Sequence, residues 1–189
     1  GSAHPDNDRF KRDCEDWYGQ EIKTITNKKG FKDQFDVIEK HRFINGSFGA
    51  RCSLELKKEV RKTLEEEIEW TNQVFGFEYS KHEINRAIRF KEQNHETNPL
   101  FPLSDFEISG EEEHGILLGA GIDRPVMYEL GYPNNNCIGC VKGGKGYWNK
   151  IRIDFPETFE KMAKAERKIN HTCLKEGEGE NVKHIYLDE

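Results

Sequence analysis

The sequence predicts an α/β domain, and three observations carry that expectation. Short apolar or β-branched runs alternate with amphipathic helical stretches. Two capping boxes punctuate the helices. The length of 189 residues fits one domain of ordinary size. Hydrophobic and charged residues each make up 34%, and aromatics make up 11%. That is polar for a globular chain, yet rich in the large apolar groups that disordered chains lack. The expectation is a modest core under a strongly charged surface.

Residues 1–7, Gly1-Ser2-Ala3-His4-Pro5-Asp6-Asn7, form a turn-prone opening. A helix follows, with Phe10, Cys14 and Trp17 at helical spacing. Glu21-Ile22-Lys23-Thr24-Ile25-Thr26 alternates and reads as a strand. Phe31, Phe35 and Ile38 share one face of a helix reaching His41. Leu54 to Trp70 is the clearest helix, with Leu56, Val60, Leu64 and Ile68 as its apolar stripe. Gln73 to Phe77 reads as a short buried strand. Ser80-Lys81-His82-Glu83 is the first capping box and opens a helix carrying Ile84 and Ile88. Ser109-Gly110-Glu111-Glu112 is the second, ahead of Gly115-Ile116-Leu117-Leu118. Residues 131–150 are rich in Gly and Asn and read as loop. Asp154-Phe155-Pro156-Glu157 starts a helix through Phe159, Met162, Ala163 and Glu166, whose basic end suits the helix dipole. His184-Ile185-Tyr186-Leu187 reads as a closing strand. With no repeat or low-complexity linker, residues 1–189 read as a single domain, in which 131–175 is a Cys- and Gly-bearing loop followed by a helix.

The formal net charge of -6 removes any general attraction to nucleic acid, which relies on Lys and Arg releasing phosphate counterions. No apolar run approaches the roughly 20 residues that cross a bilayer. No signal-peptide pattern is visible, so a soluble cytoplasmic protein without a membrane partner is expected.

The five cysteines are Cys14, Cys52, Cys137, Cys140 and Cys173. An odd count without a secretory signal suits a disulfide framework poorly. Cys137-Ile138-Gly139-Cys140 is the sharpest local feature, because a turn of this length brings both sulfurs to one side, where they can grip a metal ion or cluster. A thioredoxin-like pair fits less well, since that motif opens a helix after a strand and this one lies in a Gly/Asn loop. Ordinary thiols are the plain alternative. A closed site needs about four ligands. Cys52, Cys137, Cys140 and Cys173 would suit an iron–sulfur cluster, and His171 in place of Cys52 would suit zinc. Cys14, inside an amphipathic helix, reads as a small buried hydrophobe.

Val141-Lys142-Gly143-Gly144-Lys145-Gly146 follows at once. Its glycines free backbone N–H groups to face an anion, and Lys142 and Lys145 add charge. A flexible solvated loop is the alternative. From Gly139 the spacing mimics a GxxxxGK phosphate loop, but Gly146 stands where Ser or Thr belongs and no strand leads in. Asn134-Asn135-Asn136 suits a turn and no ligand role. Trp148 could stack on a base, but anchoring the loop to the core is the favoured reading.

In this order the motifs resemble the phosphoadenosine-phosphosulfate (PAPS) reductase-like family of PP-loop enzymes. Gly131-Tyr132-Pro133, the CxxC, the basic Gly-rich loop and Tyr147-Trp148 resemble its C-terminal signature. Arg51-Cys52-Ser53-Leu54-Glu55-Leu56-Lys57 resembles its Cys-x-x-x-x-Lys segment. Gly76-Phe77-Glu78 through Glu83 and Arg86 resembles the segment lining its substrate pocket, with Glu78 where the family has Arg. Phe101-Pro102-Leu103 resembles its Pro-Leu strand end, and residues 1–7 the end of its Asp-Thr-Gly…Pro-Glu-Thr motif. The likeness runs over nearly the whole chain. It implies a doubly wound, mostly parallel sheet flanked by helices, of the adenine nucleotide alpha-hydrolase-like kind. The Ser-Gly-Gly-x-x-Ser phosphate loop is not found, so the expectation is a fragment lacking about 30 to 40 residues and the first strand–helix unit. The resemblance further implies adenine-nucleotide-dependent sulfur transfer or sulfonucleotide reduction with a 4Fe-4S cluster on Cys52, Cys137, Cys140 and Cys173. ATP or a sulfonucleotide would be the substrate, held by Arg51, Lys57, Arg86, Lys142 and Lys145, with a nucleic acid or protein as sulfur acceptor. No residue is assigned as catalytic. The rival reading is a non-catalytic, zinc-stabilised binding module with the same fold.

Overall fold

The computed structural model describes residues 2–46, 49–177 and 181–189; Gly1 of the opening turn lies outside them. The protein is mixed α and β, about 52% helical, with only small sheets. In chain order the elements are α1 (Asn7–Tyr18), α2 (Gln34–His41), β1 (Asn45–Gly46), β2 (Gly49–Ala50) and α3 (Arg51–Ser53). A π-helical turn (Leu54–Lys58) joins α3 to α4 (Glu59–Glu67). Then come β3 (Gln73–Val74), α5 (Lys81–Gln93), a 3₁₀ turn (His95–Thr97), β4 (Pro99–Leu100), α6 (Pro102–Asp105) and α7 (Gly110–Gly119). The chain closes with α8 (Val126–Glu129), α9 (Lys145–Asp154), α10 (Pro156–Ile169), β5 (Leu174–Glu176) and β6 (Lys183–Ile185). The strands pair two by two: β1–β2 and β5–β6 antiparallel, β3–β4 parallel. Among the described residues they do not join into one sheet.

Two compact units result. The first comprises Gly1–Asp8, Ile22–Leu64 and Pro125–Glu189. Its core gathers Ile38, Ile44, Met127, Trp148, Ile151 and Met162, all 2% exposed or less. Helix α2 starts at Gln34 rather than Phe31, because Asp33 is an extended N-cap whose carboxylate accepts from the Phe35 and Asp36 amides. The expected loop ends early: α9 begins at Lys145, after extended Gly144, and turns Trp148 and Ile151 inward. Helix α10 follows the expected pattern, with Pro156 at its start and Arg167 and Lys168 in its last turn.

The anticipated strand over Glu21–Thr26 is not formed: these residues carry no regular structure and are all exposed. Alternation is a weak signal by itself, because strand preference is mostly packing against neighbours. The helix placed over Leu54–Trp70 instead runs from Arg51 to Glu67, and the Trp70 indole N–H donates back to the Glu65 carbonyl at 3.2 Å. Its π turn breaks the strict helical period, and Glu55, inside that turn, is 1% exposed. Lys29, Arg51 and His41 all reach its carboxylate, at 2.6, 2.8 and 3.3 Å.

The second unit comprises Arg9–Glu21 and Glu65–Arg124. Its centre is a β3–α5–β4 crossover with Gln73 opposite Pro99 and Val74 opposite Leu100. Phe75, Phe77, Phe90 and Phe101 cluster there, with ring centroids 4.4–6.3 Å apart. Both expected caps are present. Ser80 accepts from the Glu83 amide, and Ser109 with Glu112 forms the full reciprocal box. Cys14 is buried in α1 as expected.

Candidate metal centre and anion pocket

The first unit brings three thiols from two distant segments to one pocket. Cys52 comes from α3, and Cys137 and Cys140 come from the loop after α8. They line a pocket of about 60 Å³ together with Gln34, Ser53, Leu56, Lys57, Asn136 and Lys142. Lys57 is delivered by the π turn and Lys142 by the Gly-rich loop. Cys173 is 7% exposed and packs in the same core. Asn45 ties its segment to the loop, donating to the Val141 carbonyl at 2.5 Å and to the Cys173 carbonyl at 3.5 Å.

Electrostatics register the same gathering. Burial pushes the Cys52 thiol up, and a charge on Cys140 or Cys137 pushes it further. The Cys137 thiol is raised by burial, partly offset by the Lys57 ammonium. The Cys173 thiol is raised most: first by burial, then by the Glu166 carboxylate, then by Cys140 and Cys52. All five cysteines are free. Among the described residues no group of three or more Cys, His, Asp or Glu side chains stands close enough together to hold a metal ion. The thiols therefore border a common space without being drawn to one point. In donor type they suit a soft metal or an iron–sulfur cluster, which thiolates select.

The CxxC turn is held from several sides. Gly139 has φ +73°, and a side chain there would place Cβ 2.7 Å from Thr158 and 3.4 Å from Trp148. Only glycine meets both conditions. The Cys140 amide donates to the Tyr147 hydroxyl at 2.9 Å, which donates to the Cys137 carbonyl at 3.0 Å. The Gln34 amide group, 3% exposed, donates to the Ile138 and Gly139 carbonyls at 3.0 and 3.4 Å. The Ile138 amide donates to the Ser2 carbonyl at 2.7 Å. Burial pushes the Tyr147 hydroxyl up to about 12, so it is a neutral donor and acceptor.

Glu166, fully buried on α10, holds the fourth cysteine. It accepts from the Cys173 amide at 2.5 Å and from the Leu187 amide at 2.8 Å. Burial raises its carboxyl above the usual range while these bonds pull it back. Gln34, Tyr147 and Glu166 are the residues sequence reasoning missed as site residues. Nothing separates them from ordinary helix-face residues until the loop is folded against them, although Tyr147 stood among the residues of the C-terminal signature.

Of the residues expected to bind anions, Lys57 and Lys142 reach the thiol pocket. Arg51 lines a separate pocket with His41 and Phe43 and pairs with Glu55. Lys145 pairs with Glu176 at 2.9 Å. Arg86 belongs to the second unit, where it pairs with Glu83 and lies 5.2 Å over the Phe77 ring. His171 packs on Phe43 at 5.0 Å and stands 6.1 Å from the His184 ring, with Nδ1 buried and without a hydrogen-bond partner among the described residues. Trp148, 1% exposed, is a core anchor. Among the described residues no helix is long and apolar enough to cross a membrane.

No protein-family model matches this sequence, and no curated protein or solved structure matches it.

Proposed function

We propose that this chain is a PAPS reductase-like domain, cytoplasmic, that carries an iron–sulfur cluster on Cys52, Cys137, Cys140 and Cys173 and works on an adenine nucleotide or sulfonucleotide. One observation carries the reading. Thiols from two remote segments line a single pocket beside two lysines, and the fourth cysteine lies in the core next to them. The doubly wound parallel sheet belongs to the same proposal, supported by the parallel β3–α5–β4 unit.

A bound cluster supplies a redox-active or substrate-positioning centre. The rest falls to the chain itself. Lys57 and Lys142 supply charge-assisted contacts to a phosphate or sulfate group. The pocket, about 60 Å³, is far smaller than the roughly 300 Å³ or more that a whole nucleotide needs, so most of the substrate lies outside it. Ligation requires thiolates, and burial opposes their formation at Cys52, Cys137 and Cys173. Lys57 offsets this at Cys137. Transfer of sulfur to a nucleic acid or protein acceptor is part of the proposal.

The test is iron, acid-labile sulfide and zinc content of protein purified without oxygen, with an absorption spectrum. Iron and sulfide that disappear in C137A support the cluster. Stoichiometric zinc replaces it with a structural site and a binding role. Folded protein with neither removes the four-cysteine site.

A further inference from the structure

We infer that Tyr147 is a positioning residue that sets the spacing of Cys137 and Cys140 before any metal arrives. The inference rests on reading these two cysteines as metal ligands and asks what makes them ready. A CxxC turn in a Gly/Asn-rich loop has many conformations, and each unproductive one lowers metal affinity by the entropy of selecting the right one. Here the ends of the turn are joined through one hydroxyl: the Cys140 amide gives it a hydrogen bond at 2.9 Å, and it gives one to the Cys137 carbonyl at 3.0 Å. A phenol has one donor and acceptor lone pairs, and both capacities are used on the backbone. The sulfurs are left for a ligand.

The hydroxyl is itself fixed. The Tyr147 ring meets Tyr132 at 5.8 Å and Trp148 at 5.7 Å, both edge-on. On its other side lies Gly143, where an added Cβ would fall 2.0 Å from the ring. That glycine is needed for the ring to lie down on the loop. Trp148, its neighbour in the core, also touches the site of the missing Gly139 side chain. Core packing thus reaches both ends of the CxxC turn through this oxygen, beside the Gln34 contacts to its middle. Partners of ligating residues commonly alter metal affinity by 10- to 100-fold when removed, about the size expected here.

The experiment titrates metal-free protein with cobalt(II), following thiolate-to-cobalt absorbance, in the wild type, Y147F and Y186F. Tyr186 is a control: its hydroxyl bonds the exposed side chain of Asn170 at 2.6 Å, away from the loop. The expected result is thiolate-bound cobalt in the wild type and Y186F, and about tenfold weaker binding in Y147F with faster loss to a chelator. Equal affinity in Y147F, with circular dichroism showing it folded, overturns the inference and leaves the metal reading intact. Absence of thiolate absorbance in the wild type overturns both. If Y147F does not fold, hydrogen exchange of the Cys140 amide in metal-free wild type decides instead. Protection supports the clamp, and exchange at the rate of an open loop refutes it.

Discussion

The two units are built on different principles. In the second, apolar surface does nearly all the work: four phenylalanines meet at 4.4–6.3 Å around a short crossover, under helices capped by Ser80 and Ser109. The opposite side of its strand pair is bare, with Val74 66% and Leu100 45% exposed. In the first unit a tighter core is interleaved with buried polar groups. Glu55, Glu166 and Gln34 are each at most 3% exposed, and Gln34 Oε1 and Trp148 Nε1 are buried without a partner among the described residues. Buried polar groups cost stability unless satisfied; here Gln34 is tied to the CxxC turn, Glu166 to the Cys173 and Leu187 amides, and Glu55 to Lys29, Arg51 and His41.

The contrast can be broken first at the two aromatic centres. Trp148→Ala should cost about 3–5 kcal/mol and abolish cobalt binding, because it empties the core behind the CxxC turn. Phe90→Ala should cost roughly 2–4 kcal/mol yet leave cobalt binding unchanged. Urea denaturation with cobalt titration of both variants checks this, and loss of binding in Phe90→Ala would mean that the units do not act separately.

Metal loading comes next. A metal at a hundredfold excess over its dissociation constant should stabilise the protein by about 2.7 kcal/mol. Hydrogen exchange should place the added protection on residues of the first unit, with the Phe75–Phe101 cluster unchanged.

Glu55→Ala should cost about 2 kcal/mol, at the lower end for a buried ion group, because Lys29 and Arg51 are 54% and 40% exposed. Hydrogen bonding from Lys29, then from Arg51, holds the Glu55 carboxyl below its ordinary value of 4.5, against burial. Its folded value is depressed, so its contribution is complete above about pH 4.5 and is lost as pH falls through the lower folded value. Acid titrations of wild type and Glu55→Gln should therefore converge at low pH. Glu166 works in the opposite sense: its raised carboxyl penalises folding above its ordinary value, and the penalty eases as pH drops.

The smallest effects concern anions. Lys142→Ala should weaken sulfate binding, followed by titration calorimetry, about tenfold, or 1.4 kcal/mol. Arg86→Ala should leave it unchanged and cost under about 1 kcal/mol, since its pair with Glu83 is half exposed.

Much of the local structure was legible because it depends on nearby residues. The Ser80 and Ser109 caps, the start of α10 at Pro156 and the buried Cys14 all follow from contacts within one or two turns. The strand expected at Glu21–Thr26 is not formed, because alternation is a local signal and strand preference is set mostly by packing in the folded protein. The early start of α9 inside a Gly/Asn-rich stretch was hidden because its drive is burial of Trp148 and Ile151 in a core shared with Ile38, Met127 and Met162.

The candidate site divides the same way. The sequence by itself determined which atoms could bind a soft metal, since thiol chemistry and CxxC spacing are local properties. Tertiary structure alone decided that Lys57 and Lys142 share the thiol pocket, that Arg51 turns to Glu55 instead, and that Tyr147 and Glu166 hold the backbone of the cysteine segments. Those are meetings between residues far apart in the chain, set by which helix faces the core buries. No residue type announces them in advance.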